Sequence, residues 1–163
     1  MGGMRLLAII LAGVLAAPAA AQPPDVDQII VYKSARSLML LSRGQVVYAI
    51  RGIQLGPQPS GAKHFQGDGR TPEGHYLIDF VNPDSAYHLA LHISYPSTDD
   101  VQFAAVEGRD PGGGIFIHGQ PNDWYRRGPV PGDWTAGCIA VTNADIEMLW
   151  QSVPDGTPID IEP

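Results

Sequence analysis

Residues 133–143 read DWTAGCIAVTN, and they contain Cys138, the only cysteine of the 163-residue chain. A single cysteine cannot form an internal disulfide, so three interpretations of this thiol stay open. It is a partner in an intermolecular disulfide, a buried and inert side chain, or a reactive nucleophile. Gly137 comes directly before it, and glycine allows the backbone to turn sharply and to aim amide hydrogens at one point. This pattern is compatible with an oxyanion hole and equally with an ordinary turn.

The segment GGIFIHG (113–119) is predicted to be a short buried strand that ends near His118. A histidine at a strand end faces the mouth of a loop, and the following loop can fold back and bring Cys138 to it. A cysteine nucleophile needs such a base, because the thiolate is the reactive form. A satisfied structural histidine is the competing interpretation. If His118 is the base, we expect an imidazolium beside the thiol to lower the pKa of Cys138.

Three aromatic residues lie in the loop between this histidine and the cysteine: Trp124, Tyr125 and Trp134. They are candidates for a lid over a substrate groove, or they only pin the loop to the body of the protein. We expect Cys138 at the floor of a groove reached past this loop. A wholly buried thiol could not meet a substrate, and a fully exposed one would be oxidised.

The remaining sequence is mostly typical of β-structure, with short apolar runs bounded by glycine and proline. In the segment GHYLIDFVN (74–82), alternation places Tyr76, Ile78 and Phe80 on one face. Predicted strands cover 27–34, 74–82, 87–96, 113–119 and 158–163, and 37–56 forms a hairpin that turns at Gly44.

Helix signals are few. The clearest helix covers 142–153, with Thr142 and Asp145 in the spacing of a capping box and Pro154 after its end. A second short helix is predicted over 97–108. The fold class is therefore mainly β, a sandwich or partly closed barrel with one or two flanking helices.

The N-terminus has the features of an export signal. Residues 1–21 combine Arg5, a short apolar run and a small-residue cleavage site, and the run is too short to span a bilayer. We therefore expect one mature domain over 22–163, located in the periplasm or otherwise exported to the cell envelope, with no stable membrane span after cleavage. An uncleaved anchor is the alternative.

The net charge and the spacing of the histidines limit which partners and cofactors the sequence predicts. The formal net charge is −7 and no cluster of lysine and arginine is present, which argues against nucleic-acid binding. The five histidines do not converge in sequence, since His88 and His92 lie four apart in an apparent strand rather than on a helix. We expect no metal site and no cofactor.

Several motifs in this order resemble the catalytic domain of the L,D-transpeptidases, also called the YkuD domain. The resemblance covers roughly residues 28 to 163. It is carried by IHG (117–119), TAGCI (135–139), GDGRTPEGHYLI (67–78), ISYP (93–96) and LMLLSRGQVVYAIRGIQLG (38–56). It implies a cysteine enzyme that acts on peptidoglycan stem tetrapeptides through a thioester and needs no cofactor.

The resemblance also implies roles for individual residues. Cys138 would be the nucleophile, His118 the base, and the carbonyl of Gly119 would orient the imidazole. Thr135 would support the loop. The backbone amides before and at the nucleophile would form the oxyanion hole, and those belong to Ala136, Gly137 and Cys138.

The chain departs from the family pattern at two positions. Many members have His or Arg where Ala136 stands, and Arg or Asn where Ala140 stands. The acyl acceptor therefore stays open between an amine of a neighbouring stem, a lipoprotein lysine, a free D-amino acid and water. Hydrolase variants are an L,D-carboxypeptidase or an amidase-like enzyme that releases wall-linked lipoprotein. A non-catalytic wall-binding module is the alternative from another class.

Overall fold

The computed structural model describes residues 25–124 and 127–163, and the predicted export signal lies outside them. The described chain contains eight strands and two helices, which confirms the mainly β class. The elements are β1 Gln28–Tyr32, β2 Ser37–Ser42, β3 Gln45–Arg51, β4 Gly74–Asn82, β5 Ala90–Ile93, α1 Thr98–Val106, β6 Ile115–His118, β7 Ile139–Ala140, α2 Asn143–Ser152 and β8 Thr157–Glu162.

All eight strands form one sheet, in the order β3-β2-β1-β8-β4-β5-β6-β7. The two edges of the sheet come together, because Gln54, three residues after β3, forms an isolated antiparallel bridge with Ala140 of β7. Their backbone amides and carbonyls exchange hydrogen bonds of 2.9 and 2.8 Å. The sheet is thus curled into a half-barrel, and the expectation of a partly closed barrel is confirmed.

The predicted hairpin at 37–56 is present as β2 and β3, with Arg43 and Gly44 in the left-handed region at the turn. The strand expected over 87–96 is shorter, because His88 takes a φ of 71°, which interrupts extended backbone before β5 begins. Strand β7 was not predicted, since two residues are too few to show a period.

In strand β4, the predicted placement of Phe80 on the same face as Tyr76 and Ile78 is wrong. Tyr76 and Ile78 are both buried, but Phe80, which alternation places on the same face, is 45% exposed. The pairing of β4 with β5 shifts register between Ile78 and Phe80, so one extra residue, Asp79, enters β4. A bulge of this kind moves every later side chain to the opposite face.

Helix α2 packs against the sheet through buried Ile146 and Leu149. The Thr142 hydroxyl accepts from the backbone N–H of Asp145, as the capping prediction requires. The carboxylate of Asp145 accepts a hydrogen bond from the Thr142 hydroxyl, rather than from the backbone N–H of Thr142 as in a capping box. This helix fixes the chain that follows β7, and so it fixes one end of the segment that carries Cys138.

Candidate active site

A cavity of about 270 Å³ opens beside β6 and contains both predicted catalytic side chains. One wall belongs to the sheet and the segments next to it, and the other wall is the loop between β4 and β5. The sheet side consists of Asn82, Ala90, Gly114, Phe116, His118 and Cys138, and the loop side of Asp84, Ser85, Ala86 and Tyr87.

Strand register brings the imidazole and the thiol to the same face. Strand β6 runs parallel to β7, with His118 opposite Ala140. Cys138 lies two residues before Ala140, and side chains two apart on an extended chain point the same way. Ile115 and Ile117 alternate with the cavity-facing positions of β6 and are buried in the core.

The imidazole of His118 is held from several sides. Its Nδ1 lies 2.7 Å from the carbonyl oxygen of Gly119, and this oxygen can only accept, so Nδ1 carries the proton. The ring of Tyr87 stacks on it with centroids 4.5 Å apart, and the edge of Trp134 approaches at 5.5 Å. His118 is only 3% exposed. Nε2 is therefore left as the acceptor nitrogen of the neutral ring.

Burial sets the resting protonation of both groups. It lowers the pKa of His118, against a smaller opposing effect of the bond to Gly119. It raises the pKa of the Cys138 thiol, although the backbone N–H of Phe116 and the charge of Lys63 favour the thiolate. The expectation of a lowered thiol pKa is therefore wrong. Both directions favour a neutral thiol beside a neutral imidazole at rest.

Two glycines are required by close backbone approach. Gly137 has a φ of 130°, and a Cβ there would lie 2.5 Å from the carbonyl oxygen of Arg70. A Cβ on Gly119 would lie 2.6 Å from Oδ1 of Asn143 and 2.9 Å from the carbonyl oxygen of Tyr87. At Gly137 and Gly119 the backbone therefore has room only for glycine, because a Cβ at either position would clash.

Thr135 braces the turn before the thiol. Its buried hydroxyl donates to the carbonyl oxygen of Cys138 at 2.8 Å and accepts from the backbone N–H of Gly137 at 3.2 Å. The Gly137 amide, which the resemblance assigned to the oxyanion hole, is therefore already engaged by Thr135. Ala136 is exposed between them.

The loop that leads to the thiol is tied to the body of the protein. Arg36 forms a bidentate pair with Asp133, with N–O distances of 2.6 and 2.5 Å. The side-chain amide of Gln54 donates to the carbonyls of Val130 and Gly132. These bonds favour the interpretation that this part of the loop is pinned.

A second loop, residues 56–73, supports the site from behind through its contact with Gly137. Two lysines, each almost fully buried, hold it. Lys33 pairs with Glu73 at 2.8 Å, and Lys63 pairs with Asp68 at 3.0 Å. Glu73 is thus occupied by a structural ion pair.

The structure describes two of the three predicted groove residues, Trp124 and Trp134. Trp134 contacts His118 and donates from its indole N–H to Gln54. Trp124 does not line the cavity; the guanidinium of Arg127 lies 4.8 Å from its ring centroid. Tyr125 lies outside the described residues.

Sequence reasoning missed the loop between β4 and β5, which supplies one wall of the cavity. Tyr87 covers the imidazole, yet in sequence it looked like the first residue of a strand. The signal that could have revealed the loop is the run VNPDSAY at 81–87, whose proline, aspartate and serine are turn residues.

In residues 25–124 and 127–163, no group of three or more His, Cys, Asp and Glu side chains is arranged to hold a metal ion. Three histidines instead pair with single carboxylates: His75 with Asp160, His88 with Glu147, and His92 with Asp79. None of the helices in the same ranges has the length and apolar character that a membrane crossing needs.

The fold and the cavity first define a class: a mainly β domain that presents one thiol and one imidazole to a shared groove, as cysteine-dependent enzymes do. The sequence model of the L,D-transpeptidase catalytic domain (YkuD) matches residues 27–161. The chain belongs to this family, which confirms the resemblance seen in the sequence.

A curated relative shares part of the sequence. YafK from Escherichia coli (strain K12), described as a candidate L,D-transpeptidase, is 32% identical over 95 residues. The match covers 57% of this chain and 32% of YafK, so the chain spans about a third of that protein.

Solved structures share the fold. Pgp2 from Campylobacter jejuni, described as a helical cell shape determining protein, is 26% identical with a TM-score of 0.65, over 88% of this chain and 52% of Pgp2. Bd1075 from Bdellovibrio bacteriovorus is 27% identical with a TM-score of 0.59, over 85% of this chain and 48% of Bd1075. An L,D-transpeptidase from Mycobacterium smegmatis, 14% identical with a TM-score of 0.55, shows the fold alone.

Proposed function

We propose that this protein is an exported cysteine acyltransferase that acts on peptidoglycan stem peptides, an L,D-transpeptidase. One observation carries the proposal: Cys138 and His118 line the same cavity, and the Gly119 carbonyl fixes the imidazole with its proton on Nδ1. Nε2 is then the nitrogen that can take a proton from the thiol. Membership of the L,D-transpeptidase family supplies the substrate class.

In the first half of the reaction, His118 Nε2 accepts the thiol proton as Cys138 Sγ attacks the carbonyl of the diaminopimelate residue. Because the resting pair is neutral, proton transfer accompanies attack. The C–N bond to the terminal D-alanine breaks, and the imidazolium returns its proton to the departing amine. Cys138 is left as a thioester.

The oxyanion that forms during attack needs amide donors. The Gly137 N–H is engaged by Thr135, so we assign this role to the amides of Cys138 and Ala136. Thr135 keeps the turn in place by bonding the Cys138 carbonyl. In the second half of the reaction, an acceptor attacks the thioester carbonyl while His118 removes the acceptor's proton. The C–S bond then breaks, and the imidazolium returns the proton to Cys138 Sγ.

The acceptor is an amine of a neighbouring stem in the leading proposal. Ala136 and Ala140 stand where many members carry His, Arg or Asn, which leaves the acceptor open, and hydrolysis by water is the second candidate. The hydrolase would act as an L,D-carboxypeptidase or would release wall-linked lipoprotein. A lipoprotein lysine and a free D-amino acid are the other possible acceptors.

Incubation with purified tetrapeptide muropeptides, followed by mass analysis, tests these outcomes. Dimers with 3→3 links indicate transpeptidation, and tripeptide alone indicates carboxypeptidation. Release of lipoprotein from intact sacculi, with muropeptides unchanged, indicates the amidase-like reaction. His118→Gln is expected to abolish turnover. His75→Gln is the matched control, because His75 is exposed and pairs with Asp160 on the opposite side of β4 from the buried core.

A non-catalytic wall-binding module is distinguished by active-site labelling. A carbapenem should acylate Cys138 of the wild-type protein and add its mass, and Cys138→Ser should not be labelled. Absence of label on the folded wild-type protein, under conditions that label another family member, would favour the binding module. A cellular role in wall biogenesis or cell shape is proposed on the likeness to Pgp2.

Export is proposed from residues 1–21, which leave a mature domain over 22–163. Expression of the full chain in a Gram-negative host, followed by periplasmic extraction and intact mass measurement, tests both parts. A periplasmic protein that begins near residue 22 is expected. A full-length protein retained with the membrane would support the uncleaved anchor instead.

A further inference from the structure

Three aromatic side chains form a continuous strip across neighbouring strands. Phe80 of β4 is the register partner of His92 of β5, and His92 is the partner of Phe116 of β6. Phe80 stacks on His92 with ring centroids 4.3 Å apart, and Phe116 meets His92 edge-on at 4.8 Å. Register partners lie on one face of a sheet, so the three rings share a face.

The strip leads to the thiol. In the register of β6 and β7, Ile117 pairs with Ile139, and continuing the register by one residue places Phe116 beside Cys138. Phe116 and Cys138 also line the same cavity. The aromatic strip is therefore continuous with the candidate active site.

The outer end of the strip is open to solvent because of the bulge in β4. The bulge moves Phe80 from the core face to the face that carries His92. One side of the Phe80 ring stacks on His92, yet Phe80 remains 45% exposed, so its other side is uncovered. Asp79, the extra residue, holds His92 Nδ1 at 2.6 Å and so fixes the ring beneath Phe80.

We propose that this strip is a glycan subsite: a sugar ring of the strand that bears the stem peptide packs on Phe80 while the stem enters the cavity at Cys138. The proposal rests on the proposed action on peptidoglycan. The C–H face of a sugar packs well on an aromatic ring, whose face carries partial negative charge. Asn82 lines the cavity close to Phe80 in sequence and offers an amide for sugar hydroxyls.

The length of the strip fits this arrangement. Phe116 lies one strand spacing from Cys138, about 4.8 Å, and its ring centroid is 6.0 Å from that of Phe80, so the strip reaches about 11 Å from Cys138. In a stem attacked at its third residue, two residues and a lactyl linker separate that residue from the sugar. An extended chain covers about 3.5 Å per residue, so the sugar lies about 10 to 14 Å from the attacked carbonyl.

The test compares two substrates that differ only in the sugar: the disaccharide tetrapeptide and the free tetrapeptide. We expect the wild-type protein to have a higher kcat/KM on the disaccharide form, about tenfold, mainly through a lower KM. Phe80→Ala should reduce this ratio to near one. Phe103→Ala should keep it, and Phe103 is a close match: it is 49% exposed and stacks on His64 at 4.3 Å, but lies on α1 away from the cavity.

The outcomes separate this inference from the proposed function. Turnover of neither substrate by the wild-type protein would overturn the proposed function. Equal kcat/KM values for the two substrates in the wild-type protein would overturn the glycan subsite alone. The same would follow if Phe80→Ala left the ratio unchanged, or if Phe103→Ala reduced it equally. Circular dichroism of both variants shows that the fold survives.

Discussion

The ring of Tyr87 stacks on the imidazole of His118, with an interplanar angle of 29° and centroids 4.5 Å apart. Tyr87 is itself 39% exposed, so it shields a histidine that is only 3% exposed. This contact makes the β4–β5 loop part of the electrostatics of the site, because removal from water disfavours the imidazolium.

Tyr87→Ala should therefore raise the pKa of His118 towards its ordinary value. As the pH falls, neutral His118 would then become protonated at a higher pH than in the wild-type protein. The acid limb of the kcat/KM profile should therefore move to higher pH. Tyr87→Phe keeps the ring and should keep the wild-type profile. A profile that is identical in Tyr87→Ala and the wild-type protein would mean that Tyr87 does not control the histidine. The measurement is a pH–rate series with an NMR titration of His118.

The thiol should alkylate slowly at mildly acidic pH. Burial raises the pKa of Cys138, so little thiolate exists there, and the iodoacetamide rate should keep rising through pH 8. Glutathione under the same conditions is the control for an ordinary thiol. A rapid rate with a plateau near pH 6 would instead reveal a thiolate–imidazolium pair and contradict the neutral resting state.

Gly137→Ala should cost most of the activity. The new Cβ would meet the Arg70 carbonyl at 2.5 Å, and a backbone shift of about 1 Å at the nucleophile can reduce the rate about 100-fold. Gly132→Ala is the matched control, since Gly132 also has positive φ, 71°, in the same loop but open space around it. We expect only a modest stability loss there, about 1 kcal/mol, with most activity retained. Equal losses of kcat/KM in Gly137→Ala and Gly132→Ala would show that the clash with the Arg70 carbonyl is not the cause.

Thr135→Val should weaken turnover by about tenfold, because two hydrogen bonds of about 1 kcal/mol each hold the turn before the thiol. Thr135→Ser keeps the hydroxyl and should restore most of the rate. The thermal midpoints of both variants, measured beside kcat/KM, separate a misplaced turn from an unfolded protein. Full activity in Thr135→Val would remove this residue from the account.

Acid stability should depend on Asp68. Burial opposes its ionisation, but hydrogen bonds from the backbone N–H groups of Phe65, His64 and Arg70, and from Lys63, prevail and lower its pKa from 3.8 to about 2. The resulting stabilisation, about 2 kcal/mol, is present above pH 3.8 and is lost as the pH falls towards 2. Asp68→Asn should lack this contribution at neutral pH. Urea unfolding at several pH values measures it, and equal pH dependence in both proteins would contradict the assignment.

Local patterns in the sequence were sufficient to predict much of the fold. Apolar alternation located most strands, and Thr142 located the start of α2. Alternation failed at Phe80, because a bulge depends on how β4 pairs with β5 and leaves no mark in the period of β4 itself. The two residues of β7 were too short for any pattern.

The candidate site also contains residues that the sequence could predict and residues that it could not. His118 and Cys138 stood out because few residue types perform such chemistry, and the bond to Gly119 is present as the resemblance implied. Tyr87 and the loop around it could not be predicted, because their contact with His118 joins segments about thirty residues apart in sequence. The thiol pKa was misjudged because burial, which opposes the thiolate, is invisible in sequence.

The central claim is that Cys138 forms a thioester with the stem peptide, and the most direct test is intact mass measurement of the protein mixed briefly with tetrapeptide and quenched in acid. The wild-type protein should gain the mass of the stem without its terminal D-alanine, with one equivalent of D-alanine released and the added mass located on Cys138. Cys138→Ser should keep its melting temperature within a few degrees and show neither change. Release of D-alanine by folded Cys138→Ser at the wild-type rate, or a large loss of stability with activity retained, would contradict the account.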